Sequence, residues 1–241
     1  MIVTIHQPEH MPWLGFFDKV RQAELFVFLD NVQYRHKYFQ NRNKIRSSNG
    51  VTWLNVPVLT EGRREQLINE VEIDNRQYRW REKCWKSISL NYHKAPFLER
   101  YSGFFESLYE EEWNLLSDLN EFIITYIVKE LGLNVKLIKA SELQVSGSGE
   151  GLILNICKEL GAKTYISGVS GIAGRGRASE SEFFKEGIEV VYQEFYHPIY
   201  RQLYQPFMPC MSIIDLLFNY GDKSLDVLKG IGVEKMTTLV V

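Results

Sequence analysis

The apolar positions of the chain fall into short unbroken runs, separated by polar loops punctuated with proline and glycine. Ile2-Val3-Thr4-Ile5 is a β-branched run and Leu25-Phe26-Val27-Phe28-Leu29 a second apolar one. Between them, His6-Gln7-Pro8-Glu9-His10-Met11 reads as a loop, and Pro12 to Val20 restarts as a helix. Pro12 suits a first helical turn, where its missing N–H costs nothing. Strand, loop, helix and strand within about 30 residues is the length of a βαβ unit. Runs without in/out alternation suit strands covered on both faces, as in a parallel sheet.

The same rhythm returns late in the chain. Strands are predicted over 134–139, 163–166 and 188–193, with a helix over 150–160 ended by Gly161. Val51 to Val58 reads as a strand that Pro57 places near an edge or an end. Between these halves, helical spacing runs over 76–92, 97–109 and 113–131, the last with a wide stripe that includes Leu115, Leu119, Phe122 and Tyr126 and closes at Gly132. Ser212 to Tyr220 predicts one more apolar helix, carrying Asp215 among Ile213, Ile214, Leu216 and Leu217, where an ion pair or cap partner is expected. The fold class that follows is α/β, a mostly parallel Rossmann-like sheet with a helical insertion in the middle of the chain. No linker or repeat divides it, so residues 1–241 read as one domain with a helical subdomain at about 76–131.

Composition narrows the class. Hydrophobic content of 45% and charged content of 24% are ordinary for a globular protein, and with a net charge of -2 nothing in the total argues for a nucleic-acid or anionic-membrane partner; no nucleic-acid partner is expected. No apolar stretch reaches the roughly 18–20 residues of a membrane span, and the amino terminus lacks an export pattern; a cytoplasmic location is expected. Cys84, Cys157 and Cys210 are odd in number and far apart, which favours structural thiols over a disulfide or zinc site. Cys210, between Pro209 and Met211, is kept as a reactive-thiol alternative.

Candidate chemistry gathers at strand ends. If the first two strands are parallel neighbours, His6-Gln7 and Asp30-Asn31 share the carboxyl edge of the sheet, where open α/β folds bind ligands. The segment Arg35 to Arg46 is dense in cations and amides. It reads as a solvated hairpin arm, or as a strap over the site in which Arg42 grips a phosphate or carboxylate. Ser167 to Arg177 is a glycine-rich loop with two arginines after a strand, a shape that can wrap a phosphate, though it matches neither the Walker nor the dinucleotide fingerprint. His197 also follows a strand. His6 and His10 are four apart, but Pro8 between them forbids the helix that would make them a metal pair, so no metal is expected.

The Gln7-Pro8 to Gly15-Phe16-Phe17 segment, Asp30-Asn31-Val32-Gln33-Tyr34, Asn41-Arg42-Asn43, Tyr165-Ile166-Ser167-Gly168 and His197-Pro198 through Ser212 to Asn219 together resemble the WbqC-like family over nearly the whole chain. Members lie among genes for bacterial O-antigen and other surface polysaccharides, so the resemblance implies that pathway. His10 stands where the family often has an aromatic residue. The opening layout is also similar to that of pantothenate synthetase and related nucleotidylyltransferases, without their His-x-Gly-His motif, and implies a nucleotidylyltransferase-like sheet.

The function expected is a transferase or ligase that forms an amide between a small, glycine-like amino acid or acyl donor and a nucleotide-linked amino sugar. The alternatives are a nucleotidylyl- or glycosyl-transferase of the same pathway and a non-catalytic nucleotide-sugar binding protein. His6, Asp30 and His197 are the expected catalytic groups. Gln7, His10, Asn31, Gln33, Arg42 and Asn43 are expected to bind substrate, and Gly168, Ser170, Gly171, Arg175 and Arg177 phosphate. ATP with Mg is the cofactor this scheme allows for, and a homodimer the assembly to test.

Overall fold

The computed structural model describes residues 1–63, 65–168 and 178–239, the last stretch from 180 for side chains. Its centre is a five-stranded parallel sheet built from β1 (Ile2–His6), β2 (Leu25–Phe28), β5 (Lys136–Lys139), β6 (Thr164–Ser167) and β7 (Glu189–Tyr192), in the order β5-β2-β1-β6-β7. β1 and β2 pair in parallel with His6 opposite Phe28, as the unbroken apolar runs imply. α1 (Leu14–Arg21) joins them and begins two residues beyond Pro12, which leaves that proline ahead of the helix. Gly15 is required there, because a Cβ would sit 2.2 Å from the Trp13 indole ring.

Period-two alternation splits the core into two layers. Val3, Ile5, Leu25 and Val27 face one side and pack with Leu152 and Ile156 of α5 (Gly149–Glu159) and Phe183 of α6 (Ala178–Lys185). Phe26 and Phe28 face the other side and join Phe16, Phe17 and Val20 of α1 in a larger cluster. That cluster runs on through α2 (Trp80–Tyr92), α3 (Leu98–Glu110) and α4 (Leu116–Glu130), which lie consecutively between the second and third strands of the sheet, and through α7 (Ile213–Tyr220).

Two antiparallel pairs flank the sheet. β3 (Arg42–Ser47) and β4 (Gly50–Asn55) form a hairpin whose Asn43, Ile45, Arg46 and Ser47 are buried, so its first strand is not a solvated arm. The Arg46 guanidinium donates to the carbonyls of Ser47 and Pro206, which is what permits a cation in the core. β8 (Tyr196–Ile199) pairs with β9 (Glu234–Leu239), which docks the carboxyl-terminal segment after α8 (Ser224–Lys229).

The connectivity locates the site. From β1 the chain builds outward through β2 to β5, then places β6 and β7 on the opposite side of β1. The strand order therefore reverses between β1 and β6, and a crevice opens at such a reversal beyond the carboxyl ends of the strands.

Candidate functional site

Two cavities that share His6, Lys19, Tyr38 and Gly168 lie at this reversal. The smaller, about 340 Å³, adds Glu9, Asn43, Gln193 and Cys210. The larger, about 720 Å³, adds Gln7, Gln33, Arg35 and the first turn of α5 at Gly149 and Glu150.

The smaller cavity holds a buried cluster of ionisable groups. Lys19 points inward from α1 with only 4% of its surface exposed, and Glu9, in the loop after β1, has 5%. The Lys19 ammonium donates to the Ile5 carbonyl at 3.3 Å, and one Glu9 oxygen, Oε2, has no partner. Burial lowers Lys19 to about 8 and raises Glu9 to about 7, and each is opposed by the other's charge. His6 rests on Phe16 with ring centroids 5.1 Å apart, and its Nδ1 is buried without a partner. Burial, then the Lys19 charge, holds this imidazole well below its ordinary value, so it is neutral at neutral pH.

The walls are fixed by hydrogen bonds. Gln193, at the end of β7, donates to the Gly15 carbonyl and the Asp18 carboxylate, both at 2.8 Å, and so ties that strand end to α1. Asn43 Oδ1 accepts the Lys44 N–H, while its Nδ2 is buried and unpartnered. Cys210 borders the cavity with a φ of 59°, and burial raises its thiol, which disfavours the nucleophilic thiolate. Burial also raises Cys84 and Cys157, each to about 12.

The residues singled out in the sequence divide between this cleft and other places. His6, Gln7, Gln33, Asn43 and Gly168 line it, and Gln7 Oε1 accepts from Gln40 at 2.7 Å. Asp30 is turned the other way, toward β5: its two oxygens accept the backbone N–H and the hydroxyl of Ser141. Asn31, beside it, lines neither cavity. His10 is fully buried, with Nδ1 3.2 Å from Asn120 Oδ1, and burial lowers it to about 4. His197 is also fully buried and lines neither cavity; its Nδ1 lies 2.7 Å from the Pro198 carbonyl and its Nε2 accepts the Cys210 N–H, so both ring nitrogens are already engaged. Arg42 lines a different groove, on the far side of the 34–42 segment. Ser170, Gly171, Arg175 and Arg177 lie outside the described residues.

Glu9 and Lys19 were not singled out. Lys19 sits within Leu14 to Val20, where every residue is buried, and a lone lysine in such an apolar helix is the signal that marks it. Among the described residues no group of three or more His, Cys, Asp or Glu side chains is placed to hold a metal. No described helix is long and apolar enough to cross a membrane.

The model of the WbqC-like protein family matches residues 7–227, a span that takes in most of this arrangement. The chain belongs to that family. It is also 31% identical over 229 residues to a Mycobacterium tuberculosis protein named uncharacterized protein Rv1507c, covering 94% of this chain and 97% of that one. No solved structure matches. Every residue of the WbqC-like cleft named above, Ile5 and His6 apart, lies within the matched span.

Proposed function

We propose that this WbqC-like protein forms an amide, joining a small amino-acid or acyl donor to the amino group of a nucleotide-linked sugar made in the cytoplasm for surface polysaccharide. The observation that carries this reading is the buried Glu9–Lys19 pair beside an unpartnered His6 nitrogen, at the strand-order reversal. An amine arrives protonated and has to lose a proton before its lone pair can attack an acyl carbon. A carboxylate raised to about 7 is matched to that transfer. Glu9 takes the proton, the new C–N bond forms to give a tetrahedral adduct, and the carbonyl re-forms as the donor's leaving group departs. Lys19, held in an apolar wall, stabilises the oxyanion of the tetrahedral adduct. Neutral His6 orients the acceptor through its ring nitrogen.

The larger cavity fits ATP with Mg in size, and Arg35, Lys19 and the Gly168 backbone supply groups suited to its phosphates. When bound, it would supply activation of the donor carboxylate.

The test is incubation of the protein with ATP, Mg, glycine and a panel of UDP- and dTDP-amino sugars, with mass spectrometry of the sugar. A product heavier by one glycyl residue is expected, and Lys19→Met is expected to slow its formation about a hundredfold, as loss of an oxyanion donor does. No heavier sugar and no AMP or ADP across the panel would overturn the reading, as would full turnover by Lys19→Met.

A further inference from the structure

On the other side of the 34–42 segment lies an open groove of about 1090 Å³, and the function proposed above makes no use of it. The segment is a shared wall: Arg35 and Tyr38 border the cleft, while Tyr34, His36, Lys37 and Arg42 border the groove. α2 and the β3–β4 hairpin supply other parts of the lining.

The charge of the groove departs from that of the molecule. Lys37, Arg42, Arg79, Lys83 and Lys86 line it with no aspartate or glutamate, in a chain whose net charge is -2. Arg79 faces Glu82 at 3.5 Å, and Lys83 and Lys86 enter no ion pair among the described residues. Such a concentration of one sign in a concave surface raises the local concentration of anions. The cations of α2 are confined to Arg79 through Lys86, about 10 Å of helix, and beyond them the wall is Ser87, Leu90 and Asn91. That length suits two adjacent phosphates rather than a polymer with charge spread along the groove.

Flat surfaces lie beside the charge. Tyr78 is 74% exposed and Trp53 41%, with the Arg42 guanidinium 4.8 Å from the Trp53 ring centroid. The lining also contains two unmet hydrogen-bonding groups. The Tyr34 hydroxyl is buried without a partner, on a residue only 7% exposed, and burial raises it to about 12, so it stays a donor. Asn41 donates Nδ2 to the Val56 carbonyl at 2.9 Å, which fixes the amide and leaves Oδ1 buried with nothing to accept from.

From these features we infer that the groove is a binding site for a nucleoside diphosphate: the phosphates lie along Lys83, Lys86 and Arg79, the base stacks on Tyr78, and a group that both donates and accepts meets Tyr34 and Asn41. The inference does not depend on amide formation. UDP binding by a protein that fails the glycine assay leaves it standing, and turnover without UDP binding sinks it alone.

Calorimetric titration of the whole protein with UDP, pyrophosphate, uridine, an acidic oligosaccharide and a single-stranded oligonucleotide tests it. UDP is expected to bind more tightly than pyrophosphate or uridine, and less tightly as salt is raised. Lys83→Glu with Lys86→Glu is expected to weaken UDP at least about tenfold, and Tyr78→Ala to weaken UDP several-fold but not pyrophosphate. All three positions are exposed, so folding is spared, and Lys129→Glu with Lys229→Glu, an equal reversal of charge at two other exposed positions, is expected to change nothing. Absent UDP binding, or UDP binding unmoved by the double variant, overturns the inference. So does tight binding of the oligosaccharide or oligonucleotide alone.

Discussion

The chain buries two polar clusters, and they are built on opposite terms. Around Asp215 every valence is met: Tyr92 and Tyr200 donate their hydroxyls at 2.8 and 2.7 Å, and Gln202 donates its amide at 2.9 Å. All four side chains are enclosed in the core, and none has an orphaned polar atom. Around Lys19 the burial is as deep, but Glu9 Oε2 and His6 Nδ1 are unmet and the group borders a cavity. Buried polar atoms are normally paired, and unpaired ones call for a reason. The first cluster therefore reads as architecture that ties α2, α7 and the 200–202 segment together. The second reads as a site whose partners arrive from outside.

The largest effect expected of this contrast is on stability. Asp215→Ala removes the common acceptor of two phenols and an amide that no water reaches. Each orphaned donor costs about 1–3 kcal/mol, so a loss of about 3 kcal/mol or more is expected in urea unfolding. Burial, the dominant influence on this carboxyl, raises Asp215, with Tyr200, Tyr92 and Gln202 opposing it. A loss below about 1 kcal/mol would mean that the cluster is hydrated, and the contrast with Lys19 would dissolve.

The Glu9–Lys19 pair carries the opposite sign. Glu9 is raised from 4.5 to about 7, so its contribution to stability is complete below pH 4.5 and lost as pH rises through 7. Lys19 is lowered from 10.5 to about 8, so its contribution is complete above pH 10.5 and lost as pH falls through 8. Between pH 7 and 8 both are ionised against the cost of burial. Glu9→Gln with Lys19→Met is expected to be more stable than the parent there, by something on the order of 2 kcal/mol. The gain should shrink toward pH 4.5 and toward pH 10.5. His10, lowered to about 4, loses stability from pH 6.5 downward in both proteins and cancels in the difference; His6 is held down in part by the Lys19 charge and does not cancel, so the low-pH limb is read above pH 6.5. A difference curve flat with pH would show that the two side chains are solvated.

What the sequence revealed of this contrast was set by distance along the chain. The β1–α1–β2 unit was legible because its strands are short, apolar and joined by a single helix, and the register of His6 with Phe28 follows from it. The return of β6 to the other side of β1 is a contact across roughly 160 residues, for which no local pattern speaks. The β2 end alone therefore points to Asp30, whose carboxylate turns toward β5, whereas the cavities also need the ends of β6 and β7. His197 drew notice as a histidine after a strand, and only the fold reveals that both its nitrogens are already engaged. Lys19 is marked by its place among apolar neighbours, but only the fold shows that its whole helix is buried and that it faces a cavity.

Asp30 gives the smallest and most discriminating effect. It is buried, as Asp215, Glu9 and Lys19 are, but its oxygens are filled by the Ser141 N–H and hydroxyl, which groups it with Asp215 rather than with Glu9. In Asp30→Asn the side-chain carbonyl keeps the Ser141 N–H, and the Ser141 hydroxyl turns to accept from the new amide. What is lost is the charge assistance of those two bonds, about 1 kcal/mol. In the amide-forming assay its turnover is expected to stay within about threefold of the parent, against about a hundredfold loss for Lys19→Met. Turnover reduced as far as in Lys19→Met, with stability unchanged, would place the reacting groups on the β2 side of β1. A filled carboxylate would then be no guide to architecture in this fold, and the reversal between β1 and β6 would lose its claim to the chemistry.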